Sequence, residues 1–150
     1  MKKVYLLIVG QAKEKAFIQE EKEFIKRLKK FDLEVVELKH AEDKEKNDQT
    51  VLNKISQLSS GTPKIILLDE RGKTMTSMKF SEWLFDHIEV SSQIFFVIGG
   101  AEGHGKTIKE KSQGSIRLSD LTLAHRHARL IFVEQLYRAE TIYSGHPYHK

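Results

Sequence analysis

Four short apolar runs, each separated from the next by a stretch of helical period, restrict this chain more than any other feature. Residues 4–9 read Val-Tyr-Leu-Leu-Ile-Val and end at Gly10. A continuous run of that length, rather than an alternating one, is the mark of a strand buried on both faces. Further strands are expected at 33–38, 64–69 and 93–98. Residues 14–31 carry Phe17, Phe24, Leu28 and Phe31 at helical spacing, with Ile18 and Ile25 alongside. Asn47 or Asp48 is placed to cap a second helix that turns Val51, Ile55 and Leu58 inward and stops at Gly61-Thr62-Pro63. Ser77 is placed to cap a third, with Phe80, Trp83, Leu84 and Ile88 inward. A short helix at 106–111, a short strand at 115–118, a long helix at 124–143 and a tail at 144–150 complete the reading. Strands alternating with helices imply a mostly parallel α/β sheet covered on both faces. At 150 residues the chain makes one domain, 1–150, and not two.

Composition narrows the class further. There is no cysteine, which removes disulfides, thiolate catalysis and cysteine-held zinc. No run approaches the roughly 18 apolar residues of a membrane span. The opening Met1-Lys2-Lys3 and its six apolar successors lack a signal-peptide cleavage pattern, so a cytoplasmic location is expected. The net charge of +4 is mild, but its distribution is uneven. Four of the six arginines (Arg117, Arg126, Arg129, Arg138) and five of the seven histidines lie in the last third. Guanidinium forks bind phosphates bidentately and stack on bases, which points this region towards nucleic acid. His125 and His127 are two apart, on different faces of a helix, with no third ligand at suitable spacing, so no metal is expected.

Ligands of parallel sheets bind beyond the carboxyl ends of the strands. That rule brings Leu68-Asp69-Glu70, the glycine loop after Ile98 and the segment after Leu118 to one rim. Within the loop, Gly-Ala-Glu-Gly-His-Gly-Lys-Thr at 100–107 is a literal match to the phosphate-loop pattern G-x-x-x-x-G-K-S/T. The strand ending in Asp69-Glu70 resembles the one that holds magnesium in nucleotide hydrolases. The order is wrong for that fold, however, because the phosphate loop should follow the first strand and here four strands precede it. Four glycines in seven residues still exceed what a plain turn needs, and they favour a loop whose backbone approaches a ligand closely.

The motifs Ile98-Gly99-Gly100-Ala101-Glu102-Gly103, Leu118-Ser119-Asp120-Leu121-Thr122-Leu123, Glu134-Gln135-Leu136-Tyr137-Arg138-Ala139 and His146-Pro147-Tyr148-His149 occur in this order. Together they resemble the ribosomal RNA large subunit methyltransferase H family, of the knotted SPOUT superfamily, over essentially the whole chain. Ala101 stands where many relatives have proline, and Asp120 where alanine is frequent, which puts a carboxylate beside the cofactor segment.

That resemblance implies a C-terminal trefoil knot, a homodimer, and S-adenosylmethionine held by Leu68, Gly99, Leu118, Ser119, Asp120, Leu121, Thr122 and Leu123. It implies methylation at N3 of a pseudouridine in 23S ribosomal RNA of the assembled ribosome. The N3 proton must leave, so a base or an anion-stabilising cation is required. The candidates are His125, His127, Arg129, Arg138, Tyr148 and His149. His149 is the first choice of base, because imidazole titrates near neutrality. Tyr148 and Arg138 would complete the catalytic group, with Tyr148 placed to stack on the target base. Arg126 and Arg129 are the expected phosphate contacts. Two rival readings are a nucleotide hydrolase using 100–107 and a ribosome-binding module without activity.

Overall fold

The structure is a computed structural model, and it describes residues 1–90 and 93–150. The chain runs β1 (Lys3–Val9), α1 (Lys15–Arg27), β2 (Asp32–Leu38), α2 (Lys44–Leu58), β3 (Lys64–Lys73), α3 (Ser77–Val90), β4 (Gln93–Ile98), α4 (Lys106–Lys111), β5 (Gly114–Ile116) and α5 (His125–Ser144). All strand pairs are parallel, in the order β2-β1-β4-β3-β5. This is the α/β architecture expected from the alternation.

The continuous apolar runs are explained by burial on both sides. On one face Leu6, Ile8, Ile66, Phe96 and Ile98 pack with Phe80 and Leu84 of α3 and Phe132 and Leu136 of α5. On the other, Tyr5, Leu7, Phe95 and Val97 pack with Val51 and Ile55 of α2 and Ile108 of α4. The stacked pair Tyr5–Phe95, with ring centres 4.7 Å apart, joins β1 to β4.

Several element ends differ from expectation, each for a tertiary reason. α1 stops at Arg27, four residues before Phe31. Phe31 continues the helical spacing but is buried in the core at the entry to β2. The freed backbone amides of Lys29 and Lys30 donate to the buried carboxylate of Glu140, 2.8 and 2.5 Å away. Asp43, not Asn47 or Asp48, caps α2, accepting from the Glu45 amide. Asn47 instead holds the loop before the helix, bonding both the amide and the carbonyl of Ala41. α3 is capped by Thr76, whose hydroxyl accepts from the Lys79 amide, while the Ser77 hydroxyl donates to Gln135 of α5.

β3 runs past Asp69 to Lys73, and its register with β5 shifts between Leu68 and Lys73. β5 ends at Ile116, short of the expected Leu118. Gly72 makes this close pairing possible. A Cβ there would stand 2.5–2.8 Å from the Ile116 backbone.

Candidate active site at the carboxyl rim of the sheet

Register alone brings three of the expected segments together. Leu68 of β3 lies opposite Ile98 of β4 on one side and Ile116 of β5 on the other. The loop from Gly99 and the segment from Leu118 therefore leave the sheet from the same rim.

The glycine loop folds back on itself. The Gly103 amide donates to the Gly100 carbonyl at 3.0 Å, with Gly103 at φ 81°, a conformation that favours glycine. A side chain at Gly99 would be crowded, because a Cβ would lie 3.1–3.2 Å from Gly103 and the His104 ring. His104 is buried, and its Nε2 lies 2.9 Å from the Leu68 carbonyl oxygen. Burial pushes its pKa down, more than the Leu68 carbonyl and the Asp69 and Asp48 carboxylates raise it. The ring is thus held neutral, and Nε2–H donates to Leu68.

The segment 118–123 is the opposite, an open stretch of irregular backbone. Leu121 is 78% exposed. Among the described residues, the backbone of 119–123 makes one internal bond, from the Leu121 amide to the Ser119 hydroxyl. Asp120 pairs with Arg117 at 3.1 Å, with its carboxylate largely exposed. Beside Leu118 opens a cavity of about 150 Å³. Met75, Phe80, Ile131 and Phe132 give it apolar walls, and Lys73 and Gln135 supply polar ones. The unpaired backbone donors and acceptors that follow Leu118, next to a cavity of mixed polarity, suit a ligand with hydrogen-bonding edges and an apolar portion.

The tail folds back onto α5. The Tyr148 hydroxyl donates to Glu134 Oε2 at 2.8 Å, and its ring meets Tyr137 edge-on with centres 4.9 Å apart. Arg138 reaches the same Glu134 oxygen through Nη2 at 2.9 Å and Nε at 3.1 Å. Its guanidinium lies 4.9 Å from the Tyr148 ring centre, and Nη1 donates to His149 Nδ1 at 2.9 Å. Arg138, Tyr148 and His149 thus form one cluster. The expectation of His149 as base meets a difficulty here. A guanidinium has no lone pair to offer, so Nδ1 must be the acceptor and the neutral ring carries its proton on Nε2. Burial first, and then the Glu134 carboxylate, raise the Tyr148 phenol above its ordinary pKa.

The two arginines expected at RNA separate. Arg126 is half exposed, pairs with Glu14 at 2.6 Å and lies over the Phe17 ring. Arg129 is buried and forked onto Glu21 at 2.7 and 3.0 Å, with Nη1 on Glu37. It ties α5 to α1 and β2, and its donors are spent on carboxylates rather than offered to phosphate. His125 lies at the start of α5 with its ring over Gly10, and His127 meets Phe17 edge-on. Thirteen and eleven residues of helix, about 20 and 17 Å at 1.5 Å per residue, separate them from Arg138.

The phosphate-loop match at 100–107 does not form a phosphate cradle. Asp48 accepts from the amides of Gly105 and Ile108, both at 3.0 Å. Glu45 accepts from the Lys106 amide at 2.6 Å and the Thr107 hydroxyl at 2.8 Å. The donors a phosphate would need are already bound to two carboxylates from α2. Sequence reading missed Asp48 in this role, as it missed His104, Gly72 and Glu134. Asp48, His104 and Gly72 act through partners far away in sequence, whereas Glu134 acts within α5 and on the tail folded back over it.

A family model described as "Predicted SPOUT methyltransferase" matches residues 2–149. Among curated relatives, the ribosomal RNA large subunit methyltransferase H of Flavobacterium johnsoniae is 38% identical over 157 residues, covering 97% of this chain and 98% of its own. That of Phocaeicola vulgatus is 39% identical, covering 98% of each chain. That of an Anaeromyxobacter species is 36% identical, covering 97% of each.

Proposed function

We propose, for a chain that belongs to the SPOUT methyltransferase family, that it methylates large-subunit ribosomal RNA, with S-adenosylmethionine as donor and N3 of a pseudouridine as acceptor. The observation that carries this reading is the alignment of Leu68, Ile98 and Ile116, which brings the unpaired backbone of 119–123 to the same rim as the cavity beside Leu118. Full-length similarity to relatives named as ribosomal RNA methyltransferases supports the substrate class. The active unit of this reading is a homodimer of the single domain 1–150, its C-terminal part knotted, working in the cytoplasm on the assembled ribosome. Among the described residues no helix is long and apolar enough to cross a membrane.

When bound, S-adenosylmethionine supplies a methyl group on a sulfonium, transferred in line to N3 as the C–S bond electrons return to sulfur. The protein's part is positioning and charge placement. The Leu68 and Gly99 strand ends and the backbone of 118–123 would hold the donor, and the walls around Leu118 would exclude water. Arg138 offers a cation near which negative charge on the imide ring is stabilised as the N3 proton leaves. With Nδ1 turned to Arg138, His149 presents Nε2–H and donates to an imide oxygen, while the proton passes to solvent. His149 serves as the base itself only by releasing Arg138. Tyr148 stacks on or orients the target base, and Arg126 engages phosphate.

Calorimetric titration with S-adenosylmethionine, with ATP–magnesium in parallel, tests this. Binding of the first alone is expected. Binding of ATP–magnesium alone would replace the methyltransferase with a nucleotide hydrolase.

A further inference from the structure

We propose that Glu134 is the positioning residue of this site, a carboxylate that sets Arg138, Tyr148 and His149 in one arrangement and couples them to the wall of the cavity beside Leu118. The assignment rests on the methyltransferase reading above.

The geometry is that of a hub. Glu134 is largely buried, with a side chain only 19% exposed. Oε2 receives both the Tyr148 hydroxyl and the Arg138 guanidinium. Oε1 receives the Gln135 side-chain amide at 2.9 Å, and Gln135 lines the cavity together with Leu118. Arg138 then passes the constraint to His149.

No other side chain among the described residues bonds the Tyr148 hydroxyl or faces the Arg138 guanidinium with opposite charge. Backbone contacts of the tail are few: the His146 amide bonds the Thr141 carbonyl at 2.9 Å after the left-handed Gly145, and the Tyr148 amide bonds His146 Nδ1 at 3.2 Å. The Tyr148 ring then rests on Tyr137, and Glu134 anchors its hydroxyl and, through Arg138, His149. A carboxylate suits the task better than an amide, since it accepts from two donors on one oxygen and offsets the arginine charge. Without it the guanidinium loses its counter-charge and the phenol its acceptor, and both groups are free to turn.

Glu134→Gln keeps the volume and removes the charge. With tritiated S-adenosylmethionine and purified ribosomes lacking the modification, kcat is expected to fall by about 10–100-fold, the scale of misplacing a catalytic group by about 1 Å. The affinity for S-adenosylmethionine, measured by calorimetry, is expected to stay within about twofold. The Tyr148 phenol, followed by ultraviolet difference titration against a Tyr148→Phe control, is expected to titrate at lower pH once its anionic neighbour is gone. Glu134→Asp, which restores the charge on a shorter arm, is expected to recover part of kcat and part of the raised titration. Loss of fold would abolish S-adenosylmethionine binding as well, so the retained affinity separates it from misplacement of the cluster. An unchanged kcat in Glu134→Gln beside an active wild type would overturn the assignment and leave the function standing. A wild type that binds S-adenosylmethionine but transfers no methyl group to ribosomes would overturn the function and the assignment with it.

Discussion

The imidazole of His104 and the carbonyl of Leu68, 2.9 Å apart, lock the glycine loop after β4 to the middle of β3. Because the ring is buried and its pKa lowered, the lock is closed when His104 is neutral. The unfolded chain binds a proton at the ordinary histidine pKa and the folded chain does not. Stability therefore rises with pH, and the contribution is lost as pH falls from that ordinary value towards the lower folded one. His104→Ala is expected to cost about 1–3 kcal/mol in chemical denaturation, weaken S-adenosylmethionine binding, and flatten the pH dependence of stability below the ordinary histidine pKa. An unaltered affinity in that variant would detach the loop from the pocket.

Arg126 and Arg129 are three residues apart and should behave as different kinds of residue. Arg129→Met leaves Glu21 buried without a partner and is expected to destabilise the fold by about 3–5 kcal/mol, read from urea unfolding. Arg126→Ala is expected to change stability by less than about 1 kcal/mol. It should lower the slope of log affinity for ribosomes against log salt by about one. The reverse pattern would mean that the buried fork opens on RNA.

Acid should attack the same junction. Burial alone would raise the Glu37 pKa, but the Ala12 amide and Arg129 outweigh it and hold the carboxyl below its ordinary range. Its contribution is present above the ordinary carboxylate pKa and disappears as pH falls through the lower folded value. Glu37→Gln is expected to lower stability at neutral pH and to reduce its further loss below about pH 4, followed by circular dichroism.

Asp48→Ala removes the acceptor for two amides at the start of α4. The expected cost is about 1–3 kcal/mol, with no gain of ATP–magnesium binding in calorimetry. Gly105→Ala should be harmful for the same reason, since its new Cβ would overlap the Asp48 carboxylate. Nucleotide binding by either variant would revive the phosphate-loop reading.

The strands were legible because burial on both faces leaves no polar interruption in residues 4–9 or 94–98. The convergence of Leu68, Gly99 and Leu118 at one rim followed from parallel pairing. What the sequence hid was the partner of each polar side chain. Phe31 keeps helical spacing yet belongs to the core at β2. Asp48 has the chemistry of a cap but serves α4, whose amides lie 57 and 60 residues on. Arg129 sits one turn from the exposed Arg126, and only its carboxylates 92 and 108 residues away make it structural. Residue type announces the bond a side chain can make, while the long-range fold decides with whom.

The central claim is methyl transfer to ribosomal RNA, and mass spectrometry of 23S RNA from treated ribosomes tests it most directly. Purified protein and S-adenosylmethionine are incubated with ribosomes lacking the modification, and with an isolated RNA stem-loop. A single added methyl group at N3 of one pseudouridine, in assembled ribosomes and poorly in the fragment, is the predicted result. No added methyl group in either substrate, with S-adenosylmethionine bound normally, would contradict the account.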